Sequence, residues 1–144
     1  MDTTEPVAHT AIDAREALIW VMVVVSAADR DMTDEELRHI GDVVRTMPAF
    51  RNFSEERIIP AARNCALALQ PVDGMEQVLF TIDEALPPRL RETAYLLACE
   101  LAAADQAIER EEMRILRHIR TRLGIDPLVA VALERAAIAR RQNA

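Results

Sequence analysis

Two groups of acidic side chains share one spacing within the 144 residues. Asp29, Met32 and Glu36 follow the pattern Asp, two residues, apolar, three residues, Glu, and Asp105, Ile108 and Glu112 repeat it. Hard divalent cations such as Ca²⁺ and Mg²⁺ take oxygen ligands, and carboxylates are the commonest charged ones. Each group offers an Asp and a Glu. Were the two brought together, Asp29, Glu36, Asp105 and Glu112 would offer four carboxylates to one cation.

The same residues also have a purely structural use. Thr33 and Glu36 spell a capping box, and Met32 and Ile108 stand where hydrophobic staples precede a cap. Glu36 and Glu112 fall near a helix N-terminus, where the macrodipole favours a carboxylate. Asp29 and Asp105 fit that use less well, because they lie at the end of the preceding helix. There an anion costs about a few tenths of a kcal/mol. A cation held between the Asp and the Glu would offset that cost, and so would a neighbouring Arg30 or Arg38. Metal binding and helix capping both remain open on these residues alone.

The elements that must position these acids form an internal repeat. Sliding the chain by 76 residues lays AADRDMTDEELR (Ala27 to Arg38) on AADQAIEREEMR (Ala103 to Arg114), with six of twelve positions identical. The unit is an apolar helix, an acidic corner and an amphipathic helix. VMVVV (Val21 to Val25) would by itself suggest a strand, but its counterpart in the second copy, around LLACELAAA, is strongly helix-favouring, so helix is expected in both. If the halves pack about a pseudo-twofold axis, the two corners meet.

Start and stop signals divide the chain into about seven helices. Thr10 is expected to cap the first, which runs to about Ala28 and is apolar on all sides from Ala17 onward, so that other helices must surround it. Thr33 opens the second, with Pro48 shortly after its end. Ser54 opens the third, in which Pro60 should introduce a kink or split off a short first turn. A fourth runs from about Asp73 to Leu86, and a fifth starts at Pro87–Pro88 and ends near Ala104. The sixth spans roughly Glu109 to Leu123 and stops at Gly124. Asp126 and Pro127 open the seventh, which reaches about Arg140. The expected organisation is a flexible segment over 1–9, one all-α domain over 10–140 and a tail over 141–144.

Composition supports this reading. Gly41, Gly74 and Gly124 are the only glycines, roughly a third of average usage, which leaves little room for hairpins or phosphate-cradling loops. Net charge is −7, with 24 acidic against 17 basic residues, and aromatics make up 3%. Such a chain lacks both the phosphate neutralisation and the base stacking of a general nucleic-acid surface. All basic residues are Arg, which points to a high-GC bacterial genome. MDTTEPVAHT has neither the basic nor the apolar part of a secretion signal. The longest apolar run, Ala17 to Ala28, falls short of the roughly 20 residues that span a bilayer. Cys65 and Cys99 sit in apolar helical patterns as expected core thiols, and a cytoplasmic location follows.

Other motifs fail on inspection. Asp29, Asp31 and Thr33 begin like an EF-hand loop, but Asp34 stands where Gly is required and Ile40 where Glu is. Glu36 and His39 form Glu-x-x-His, yet Ile115 replaces the His in the second copy. His9, His39 and His118 have no metal-ligand spacing with the cysteines. Ser26 and Ser54 lack a nearby base, and the apolar setting of the cysteines raises a thiol pKa. No enzyme is expected. Arg110, Arg114 and Arg117 form a basic stripe on the sixth helix, read as a solvated face paired with Glu111 and Glu112 or as a site for phosphate or an acidic partner.

AADRDMTDEEL and AADQAIEREEM each resemble the acidic helix-corner signature, A-x-D-G-x-apolar-x-x-x-E, of the TerB-like tellurite-resistance domain, and the likeness extends from about Thr10 to Arg140. That family also includes the N-terminal part of a membrane-linked DnaJ-like co-chaperone. The resemblance implies an all-helical stress-response module in the cytosol that binds a divalent cation through its paired acids and acts with a protein partner. Its acidic positions carry over onto Asp29, Glu36, Asp105 and Glu112, with Asp31 as an addition in the first copy. Arg30 and Gln106 stand where the family pattern has Gly, and Arg30 is itself placed to neutralise Asp29 or Asp31. The competing expectation is a scaffolding helical domain whose acids are caps.

Overall fold

A computed structural model describes residues 11–27, 32–103 and 110–144. Over these residues the chain is helical, with no strand among them. The α-helices are α1 (Ala14–Ser26), α2 (Asp34–Thr46), α3 (Ile58–Ala68), α4 (Gly74–Ala85), α5 (Arg91–Ala102), α6 (Arg110–Leu123) and α7 (Pro127–Arg140). No described helix is long and apolar enough to cross a membrane.

Helix α1 is the centre. Every residue from Ala17 to Ser26 is buried, and α5, α3, α4, α6 and α2 all pack against it. Full burial of each Val, Leu or Ile contributes about 1.5–3 kcal/mol, which outweighs the small helix penalty of the β-branched VMVVV run. Helix α5 is the second internal helix, lying against α1 on one side and covered by α7 and α6 elsewhere.

The helix ends follow local chemistry. Asp13, not Thr10, caps α1: its Oδ1 accepts the Glu16 N–H at 2.9 Å, and Glu16 Oε1 accepts the Asp13 N–H at 2.9 Å. Asp13 wins because Glu16 stands three residues on and closes the reciprocal box; Thr10 lies outside the described residues. Thr33 Oγ1 accepts the Glu36 N–H at 3.1 Å and Glu36 Oε1 accepts the Thr33 N–H at 2.9 Å, completing the box expected for α2. Under Ser54 a 3₁₀ turn (Glu55–Arg57) precedes α3, so Pro60 falls in the first turn of that helix, where its missing N–H costs nothing. A second 3₁₀ turn (Pro88–Leu90) leads into α5. Gly124 takes φ +68° after α6, and Asp126 Oδ1 accepts the Leu128 N–H at 2.8 Å with Pro127 at the first position of α7.

The 76-residue offset reappears in the element boundaries. The bounds of α1 and α2 moved along by that offset become 90–102 and 110–122, against Arg91–Ala102 for α5 and Arg110–Leu123 for α6. Cys65 and Cys99 are buried free thiols on α3 and α5.

Candidate functional site

The acidic corners join α1 to α2 and α5 to α6. Asp29, Asp31 and Asp105 lie outside the described residues, so what the structure shows of the corners is their helical shoulders. Glu36 and Glu112 both stand at the third residue of the helix that leaves a corner, α2 or α6. Each first turn is acidic, with Asp34, Glu35 and Glu36 in α2 and Glu111 and Glu112 in α6, as the helix dipole favours. Both glutamates are half-buried. Glu36 uses one carboxylate oxygen in its capping box; the other makes no bond to a described residue. Among the described residues no three His, Cys, Asp or Glu side chains cluster at metal-binding range. Carboxylate oxygens are nonetheless the donor chemistry that Ca²⁺ and Mg²⁺ require.

On the approach to the first corner, Ser26 at the end of α1 is buried and its hydroxyl has no hydrogen-bond partner among the described residues. On the approach to the second, Glu100 of α5 is held by Arg140 Nε at 2.6 Å. The next residue, Arg141, meets Nδ1 of His39 on α2 at 3.1 Å through Nη2. Two consecutive arginines at the end of α7 thus tie the helix that leaves the first corner to the helix that enters the second. Burial, then the Arg141 charge, push the His39 imidazole below its ordinary pKa. The His39 of the Glu-x-x-His motif is therefore engaged in interhelical packing.

Sequence reasoning missed three polar groups. Tyr95, fully buried on α5, donates through its hydroxyl to Glu134 Oε2 of α7 at 2.5 Å, and Arg120 Nη1 of α6 lies 3.3 Å from that oxygen. Burial and the Glu134 carboxylate both push the Tyr95 hydroxyl pKa up. Arg57 bridges Asp13 at 3.0 Å and Glu16 at 3.2 Å while its guanidinium lies 4.4 Å from the centre of the Phe53 ring. The third group is His39 with Arg141. All three connect residues distant in sequence, and no spacing rule announces them.

Nucleophiles are poorly provided. Burial pushes the Cys65 thiol far up and the Cys99 thiol up to about 12. Ser54 Oγ accepts the Glu56 N–H at 3.2 Å as a cap. Beside the end of α2, a cleft of about 490 Å³ contains Arg45, which Asp42 and Glu55 neutralise.

No curated protein and no solved structure matches the chain. A family model described as tellurite resistance protein TerB matches residues 9–135. That span runs from before α1 into α7 and takes in both acidic corners, and the chain belongs to the TerB family of tellurite-resistance domains.

Proposed function

We propose that this TerB-family chain is a non-enzymatic, cytoplasmic stress-response module, serving tellurite resistance, whose acidic corners hold a divalent cation and present it to a protein partner. Asp29, Asp31 and Glu36 would hold the cation at one corner, and Asp105 and Glu112 at the other. Ca²⁺ or Mg²⁺ suits this all-oxygen set. When bound, the ion would supply positive charge just beyond the C-termini of α1 and α5, where the sequence places Asp29 and Asp105.

One observation carries the reading: in the sequence the paired acids recur where the capping threonine does not. Thr33 completes its box with Glu36, but the corresponding residue of the second copy is Glu109. Capping alone gives no reason for Asp29 and Asp105 to recur together with Glu36 and Glu112. The formed Thr33–Glu36 box favours the second reading, a scaffold whose acids only terminate helices.

Calorimetric titration with Ca²⁺, Mg²⁺ and Zn²⁺ separates the two. A cation at 100 times its Kd should stabilise the fold by about 2.7 kcal/mol, and Asp29→Ala/Asp105→Ala should remove both the heat and the rise in melting temperature. Glu36→Gln/Glu112→Gln keeps a capping-competent amide, so it should melt like the metal-free wild type yet bind more weakly. Absence of heat and of any melting shift in the wild type would overturn the metal reading and leave the scaffold.

A further inference from the structure

Helices α4 and α6 enclose a cleft of about 390 Å³ whose lining includes Arg114, Arg117, His118, Thr121 and Arg122 of α6 and Glu76 of α4. That volume lies within the usual range for small-molecule sites. Residues 114, 117, 118 and 121 recur at helical spacing, so one face of α6 turns into the cleft. Its other face, Leu116, Ile119 and Leu123, is in the core.

The charges in this cleft are unbalanced. Arg114 and Arg117 are exposed, and neither makes an ion pair or hydrogen bond with a described residue. Glu76, the one carboxylate in the lining, lies 3.7 Å from Arg122 Nη2 and is itself largely exposed. Arg122 Nη2 also donates to the Glu76 carbonyl at 3.4 Å, while its Nε is covered and has no acceptor among the described residues. Three guanidiniums thus face one carboxylate in a protein of net charge −7. The contrast with the cleft beside α2 is direct, since there Asp42 and Glu55 neutralise Arg45.

We propose that the α4–α6 cleft is a binding site for a phosphate-class oxyanion, either free phosphate or a small phosphate monoester. Arg114 and Arg117 supply forked N–H donors matched to tetrahedral oxyanions. Arg122 offers a donor already anchored by Glu76, and Thr121 adds a hydroxyl that donates or accepts. A small anion is favoured over an acidic protein segment because the donors converge within one cleft. This site is separate from the acidic corners and does not depend on the metal reading.

The test is titration of the full chain, followed by backbone amide NMR and calorimetry, with inorganic phosphate and with glycerol 3-phosphate, at constant ionic strength set by chloride. Saturable shifts confined to α4 and α6 are expected. Arg114→Gln and Arg117→Gln should each weaken binding by about tenfold, the weight of one charge-assisted hydrogen bond. Both positions are exposed and unpaired, so their melting temperatures should match wild type; Arg63→Gln on α3 should leave binding unchanged. Comparable affinity for the two probes identifies free phosphate as the ligand, and tighter binding of the ester identifies a monoester. Lack of saturation with both probes overturns the proposal. So does binding that is indifferent to both variants, or saturable binding of a polyglutamate peptide without response to either phosphate.

Discussion

Burial and the Arg141 guanidinium lower the pKa of the His39 imidazole, with Arg140 adding to the effect and Glu100 and Asp42 opposing it. The folded pKa lies below the ordinary 6.5, so the unfolded chain binds the extra proton first and stability falls as pH drops from about 6.5 through the folded pKa. The melting temperature should therefore decline as pH falls below about 6.5, and His39→Gln should flatten that decline. An unchanged slope in the variant would refute the assignment. Asp13 acts in a separate window. Burial raises its carboxyl pKa, but the Glu16 N–H and the Arg57 and Arg15 guanidiniums outweigh burial and bring it below 3.8. Its contribution is present above that value and lost only in stronger acid. Asp13 could be read from the sequence as a capping residue, whereas its bond to Arg57, 44 residues away, could not.

At the scale of elements, caps and breakers were legible because they act within one turn. Thr33, Gly124, Asp126 and Pro127 mark helix ends where the sequence places them, and Asp13 differs from expectation by a single cap choice. Helix contacts were not legible. A Cβ on Gly74 would lie 2.5 Å from the Leu69 carbonyl oxygen, so the α3–α4 turn closes only around a residue without a side chain. Gly74→Ala should cost about 1–3 kcal/mol, read as a fall in the denaturation midpoint at constant slope. An unaltered midpoint would show that the turn opens freely. Tyr95, buried between α5 and the Glu134–Arg120 pair, is a comparable case. Sequence shows an aromatic in an apolar helix, and only packing supplies its acceptor.

For the whole molecule, α1 and α5 form an interior from which solvent is excluded, and the core carries two thiols, one on α5 and one on α3 where it packs against α1. Cys65 and Cys99 are fully buried with raised pKa values, and it is the thiolate that reacts. Both should resist alkylation in the native state and react together, at the rate of global unfolding, when denaturant is added. Rapid native-state labelling of either would mean that the layer around it opens locally. The net charge of −7 is likewise a property of arrangement: acids gather at the starts of α2 and α6, while unpaired arginines line the outer side of α6.

The sequence by itself determined the all-α class, the number and approximate extent of the helices, the buried character of α1 and the 76-residue recurrence of the acidic corners. These follow from periodicity, capping and composition, which are local and add along the chain. Tertiary structure alone decided which polar groups meet: Arg141 with His39, Arg140 with Glu100, Tyr95 with Glu134, and three arginines around one cleft. Such meetings depend on how helices pack across tens of residues, and a side chain's partner there is set by the shape of the core rather than by its neighbours in sequence.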